Sequence, residues 1–145
     1  MSKYRLIKCE IKTPDSLIKA LNDVGCAYTR SQDLRKNEAK LDTNWTRWGG
    51  KSQEVAIAIQ RNHLANATGT SSVMDGIGFA WNGNGYDLIQ DKHDVSNLKV
   101  TEFLNKLNQR YSYHEAMRLA RMNGYTVKSS TSENGKIRVV LQKVG

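Results

Sequence analysis

The chain has 145 residues, 39% of them apolar, with 22 Lys and Arg against 14 Asp and Glu, a net charge of +8. This length and apolar share suit one core and argue against two, so residues 1–145 read as a single domain. The charged, alternating start MSKYRLIKCEIK does not read as a signal peptide, and no apolar run approaches the ~18–20 residues that span a bilayer, so the expectation is no membrane insertion and a cytoplasmic setting.

Residues 3–12 read as a strand with apolar residues on both faces. That suits either a central strand or one with a bulge between Leu6 and Ile7. Thr13-Pro14-Asp15-Ser16 is a helix start: Thr13 can cap free amides, Pro14 fits the first helical position, and Asp15 suits the positive end of the dipole. Leu17, Leu21 and Val24 make the apolar stripe, and Gly25 ends it. A second short strand is expected over Cys26–Arg30, and the opening strand-helix-strand unit admits a parallel pair.

Residues 31–53 are polar and charged and read as a long loop, with Trp45, Arg47 and Trp48 as its most suggestive group. Tryptophans beside a cation can stack on bases while the cation meets phosphate; the structural alternative is a tryptophan lid on the core. Glu54–Gln60 is a strand in which Val55, Ile57 and Ile59 alternate with Ala56 and Ala58, and the small alanine face invites a closely packed helix. Residues 61–75, rich in small polar residues, read as a flexible connection. Ile77–Trp81, Asn82-Gly83-Asn84-Gly85 and Tyr86–Ile89 make a β-hairpin, because Asn-Gly pairs tolerate the positive φ angles of tight turns. The glycines are not a phosphate loop, since no helix start and no Lys-Ser/Thr pair follows them.

Leu98–Tyr125 is the longest helical pattern. Ser96 or Asn97 can cap it, and Val100, Phe103, Leu104, Leu107 and Tyr111 form its apolar face. A run of ~40 Å exceeds a small globule, so a break between Gln109 and Tyr113, around Ser112, is expected to divide it into a pair of helices. Lys106, Arg110, His114, Arg118 and Arg121 recur at helical spacing and form a basic ridge able to lie along an acidic partner, with an ordinary solvated face as the alternative. A final hairpin turns at Glu133-Asn134-Gly135-Lys136.

No metal or cofactor is expected. Cys9 and Cys26 are far apart, and His63, His93 and His114 show no ligand spacing with them. Catalysis finds no recognised motif. Its best candidates are His114, Glu115, Asp87 and Tyr111, as a small enzyme centred near His114.

Several segments stand in a familiar order: Ser2-Lys3-Tyr4 with Ile7-Lys8 and Ile11, Gly78-Phe79 with Trp81-Asn82, Tyr86-Asp87-Leu88, Phe103-Leu104 and Leu107, the run Gln109-Arg110-Tyr111-Ser112-Tyr113, Gly124-Tyr125-Thr126-Val127 and Asn134-Gly135-Lys136-Ile137-Arg138-Val139-Val140. On these residues the chain resembles the small hypothetical chloroplast reading-frame proteins of algal plastids and cyanobacteria, a domain of unknown function. The resemblance leaves out residues 31–53 and 61–75. It implies a cyanobacterial or plastid-type setting, including the plastid stroma, or the cytoplasm of a host if the source is a virus infecting such a cell. It implies no activity.

The fold expected is α+β: an antiparallel-dominated sheet of about five to seven strands, with an N-terminal helix and a pair of C-terminal helices packed on it. The function expected is a non-enzymatic regulatory or adaptor module binding an acidic partner, protein or RNA. The main alternative is single-stranded nucleic-acid binding through Trp45 and Trp48.

Overall fold

The computed structural model describes residues 4–8, 10–42, 52–133 and 136–144. In chain order its elements are β1 (Tyr4–Lys8), α1 (Pro14–Asp23), β2 (Thr29–Arg30), β3 (Ala39–Leu41), β4 (Gln53–Val55), β5 (Ile57–Ile59), α2 (Arg61–Thr68), β6 (Ile77–Trp81), β7 (Tyr86–Asp91), a 3-10 turn at Asp94–Ser96, α3 (Leu98–Met122), β8 (Tyr125–Glu133) and β9 (Lys136–Lys143). The architecture is α+β with antiparallel sheets: five strands in the order β1-β7-β6-β5-β2, and the two-stranded sheets β3-β4 and β8-β9.

The hairpin β6-β7 forms where its turn chemistry places it. Asn82 Oδ1 accepts from the amides of Asn84 and Gly85, at 2.9 and 3.0 Å, and closes the turn. Alternation then sends Ile77, Phe79, Tyr86 and Leu88 to one face, where they join Leu17, Leu21, Val100, Phe103 and Leu107 from α1 and α3 in the main core. Fully burying a side chain of this size contributes about 1.5–3 kcal/mol.

The other face of the sheet carries a second layer. Ala58, Ala80 and Ile89 pack against Ala39, Leu41 and Val55 of β3 and β4. This reverses the expectation for the Glu54–Gln60 strand: Ile57 and Ile59 face the helices, and Ala58 faces the small sheet. The reason is a bend at Ala56, which divides the expected strand into β4, paired with β3, and β5, paired with β6 and β2. The two layers approach closely at Gly78, where a Cβ would stand 2.6 Å from Val55 Cγ1.

Four further expectations are corrected. Strands β1 and β2 lie at opposite ends of the main sheet, so the opening unit makes no parallel pair and β1 is not central. Of the stretch 31–53, residues 31–42 contain β3 and are fastened to the sheet: Ser31 Oγ accepts from the amides of Glu38 and Ala39, and the Asn37 side chain brackets the backbone of Trp81 through both its oxygen and its nitrogen. The stretch 61–75 contains α2, which buries Leu64 and ends at Gly69 in the left-handed conformation. The pair of C-terminal helices is one helix of 25 residues, continuous through Ser112.

That helix is about 37 Å long, which exceeds the core it covers. The excess is used. Its first four turns lie on α1 and the sheet, and its last turns carry the β8-β9 hairpin, whose strands contact them. Ser112 is exposed and does not interrupt the backbone bonding. The next residue inward, Tyr111, is buried, and its hydroxyl accepts from the amides of Lys12 at 2.9 Å and Thr13 at 3.1 Å. Thr13 makes no side-chain cap of its own, so a tyrosine almost a hundred residues away satisfies amides at the entry to α1.

Candidate partner-binding site

Helix α3 starts where Asn97 accepts from the amides of Lys99 and Val100. Because it is continuous, the five ridge residues lie on one element. They do not lie on one line. A step of four residues overshoots a full turn by about 40°, so the row from Lys106 to Arg118 winds about 120° around the axis. Its middle therefore turns toward α1.

There it meets Asp23, the last residue of α1. Arg110 Nε and Nη2 each lie 2.9 Å from Asp23 Oδ2, and His114 Nε2 bonds the same oxygen. A carboxylate at the C-terminal end of a helix opposes the macrodipole, and this arrangement offsets it. Burial pushes the Asp23 carboxyl up, but the bonds from His114 and Arg110 outweigh it and hold the group below its ordinary value. The Arg110 guanidinium also covers the Tyr113 ring at 4.6 Å.

One residue further, Glu115 Oε1 accepts from Arg118, and its Oε2 is buried without a hydrogen-bond partner among the described residues. Burial raises this carboxyl too, and the neighbouring Thr13 hydroxyl, Arg118 and the Ser16 hydroxyl bring it below its ordinary value. Arg118 reaches Met122 Sδ at 3.0 Å as well. Arg110, His114 and Arg118 thus fasten α3 to α1 and to itself. Lys106 and Arg121 are exposed and make no ion pair among the described residues. Trp45, Arg47 and Trp48 lie outside the described residues.

The candidates for catalysis are dispersed among structural partners. Tyr111 holds the Lys12 and Thr13 amides, His114 holds Asp23, Glu115 holds Arg118, and Asp87 accepts from Asn82 Nδ2 at 2.9 Å. Neither cavity described among these residues is lined by more than one of the four. Among the described residues no group of three or more His, Cys, Asp or Glu is arranged to hold a metal. Cys26 is buried, and burial pushes its thiol up to about 11. No helix among them is long and apolar enough to cross a membrane.

A different surface emerges at the far end of α3. Leu119, Met122, Val127, Val140, Leu141 and Val144 are exposed, whereas elsewhere only Met74 and Leu98 are exposed large apolar residues among those described. Between Leu119 and Leu141 the helix and hairpin leave an open hollow, lined also by Ala116, Ala120, Asn123, Tyr125 and Lys143. Lys143, in its lining, is exposed, as are Arg121 on the helix and Lys128 and Arg138 on the hairpin. From Leu104 to Val144 the sequence holds eight Lys and Arg against two Glu, so most of the net charge of +8 belongs to this end. The alternation of Ile137, Val139 and Leu141 with Arg138, Val140 and Gln142 was the signal for it.

A family model described as a protein of unknown function, DUF1257, matches residues 20–140. The chain belongs to that family. It is 31% identical over 147 residues to the uncharacterised protein ycf35 of Guillardia theta, covering 99% of this chain and 98% of the relative. It is 26% identical to the uncharacterised protein ycf35 of Pyropia yezoensis over the same extent. No solved structure matches. The resemblance read from Gln109–Tyr113 and the hairpins is thereby borne out. The DUF1257 match takes in α3 and most of β8-β9.

Proposed function

We propose that this DUF1257 member is a non-enzymatic adaptor that docks an acidic protein on the end formed by the last turns of α3 and the β8-β9 hairpin. The observation that carries the reading is the coincidence of exposed Leu119, Met122 and Leu141 with exposed Arg121 and Lys143. An apolar patch rimmed by one sign of charge supplies burial at its centre and steering at its edge. A partner rimmed by carboxylates complements it.

The apolar groups favour protein over nucleic acid. Leucine, valine and methionine have no π-face for stacked bases, and single-stranded nucleic acid is held by aromatic platforms. The Trp45–Trp48 group remains the stacking candidate, and RNA is an outcome of the test below.

The test is affinity co-purification at about 50 mM and about 500 mM salt, a range over which exposed charges pass from weakly to strongly screened. The baits are the wild type, Arg121→Glu/Lys143→Glu, and Leu119→Ser/Leu141→Ser. The expected result is a discrete acidic protein retained at low salt, lost at high salt, and lost from both variants. Retention of RNA in its place would assign the charge to nucleic acid. Material retained equally by all three baits would overturn the reading.

A further inference from the structure

An open cavity of about 560 Å³ lies between the middle of α3 and the helix-facing side of β6 and β7. It is separate from the docking end of α3. Phe79 and Leu88 form part of its apolar lining, and Asn105 and Asn108 line it from α3. Glu10 is the charged residue in its lining, and no Lys or Arg lines it among the described residues. The described lining offers no cation to a phosphate or carboxylate and suits neutral molecules.

One lining residue has unspent hydrogen-bonding capacity. Gln90 is 2% exposed, and its Oε1 is shielded from solvent without a hydrogen-bond partner. No described residue bonds its Nε2 either. Buried amide groups in proteins are almost always paired, because an orphaned one keeps the cost of leaving water. Phe79, Leu88 and Leu107 in the same lining cannot pair with it. A molecule that enters the cavity with the complementary edge would complete both bonds at once.

We propose that this cavity binds a neutral, flat ligand of nucleobase or nicotinamide size through a cis-amide edge. The ligand N–H donates to Gln90 Oε1, and its adjacent carbonyl accepts from Gln90 Nε2. Phe79 and Leu88 provide the apolar contact, and Asn105 and Asn108 lie in the α3 wall of the cavity. A site built to hydrogen-bond a ligand edge discriminates strongly against the analogue that lacks it, because its own polar groups are then left unpaired.

Ligand-observed NMR titration of the full chain tests this with uracil, nicotinamide, 1,3-dimethyluracil and benzoate. Uracil or nicotinamide is expected to bind saturably with Kd of about 1 mM or tighter, as befits so small a ligand. Uracil alone would assign the site to ring lactams, nicotinamide alone to primary carboxamides. The dimethyl analogue, which has no N–H, is expected to bind at least about tenfold more weakly, and benzoate not at all. Gln90→Leu should lose about tenfold in affinity while the fold is kept. Should that variant not fold, Asn108→Trp, at an exposed position of the lining, should obstruct entry instead. Saturable binding by neither amide, binding undiminished by methylation, or binding undiminished in the folded variants would overturn the proposal.

Discussion

Asp23 shows how one side chain sets the relation of two helices. Its carboxyl is held below the ordinary value of 3.8, so folding gains from its ionised form. For a depressed carboxyl the gain is fully present above the unfolded value and is lost as pH falls through the folded one. Asp23→Asn should therefore cost about 0.5–1 kcal/mol at neutral pH, the scale of a partly exposed ion pair. Urea unfolding at several pH values should show that difference shrinking below about pH 4. A constant difference down to pH 2 would assign the effect to packing. The role of Asp23 was not legible in the sequence. An acid at the end of a helix reads as a surface residue until Arg110 and His114, some ninety residues later, are known to face it.

At the scale of elements, α3 carries the clearest lesson. Its two ends were written locally, by Asn97 at the start and Asn123-Gly124 at the stop, and both are where the structure ends the helix. Its continuity was not written locally. The break at Ser112 was inferred from the size of a globule, and the chain instead spends the extra turns on holding a hairpin. Exposed Ser112 sits at an interior position of this helix, where serine is a poorer helix former than alanine. Ser112→Ala should then stabilise the protein by about 0.5 kcal/mol. Chemical denaturation would report it, and a loss of stability would point to a break after all. The same contrast separates the hairpins from α2. Asn-Gly turns announce themselves, whereas a short helix that buries only Leu64 offers one large apolar residue and its closing glycine as signals.

At the scale of the whole molecule the main sheet is covered on both faces, by helices on one and by β3-β4 on the other. The second cover was hidden because β3 is three residues long and stands in polar sequence. Without it, Ala56 and Ala58 read as room for a helix. With it, Ala58 and Gly78 are what lets two sheets approach. Gly78→Ala would drive a Cβ against Val55 and Leu41, where 2.6 Å and 3.3 Å are available. Overpacking of this kind typically costs about 1–3 kcal/mol, and thermal unfolding should register it as a lower Tm. An unchanged Tm would mean that the layers separate freely at that point.

The hydroxyl of Tyr111 and the carboxylate of Asp23 grip α3 close to its middle, and the hairpin is attached near its end. Eleven residues separate Tyr111 from Met122, about 16 Å of stiff helix. This is a lever with its fulcrum at α1. A tilt of about 5° at the grip would carry the hairpin through about 1.4 Å, so small adjustments where the two helices cross are magnified at the tip. The converse also holds. Force applied at the tip acts on the grip with mechanical advantage, and the paired contacts at Tyr111 and Asp23 are placed to resist that torque.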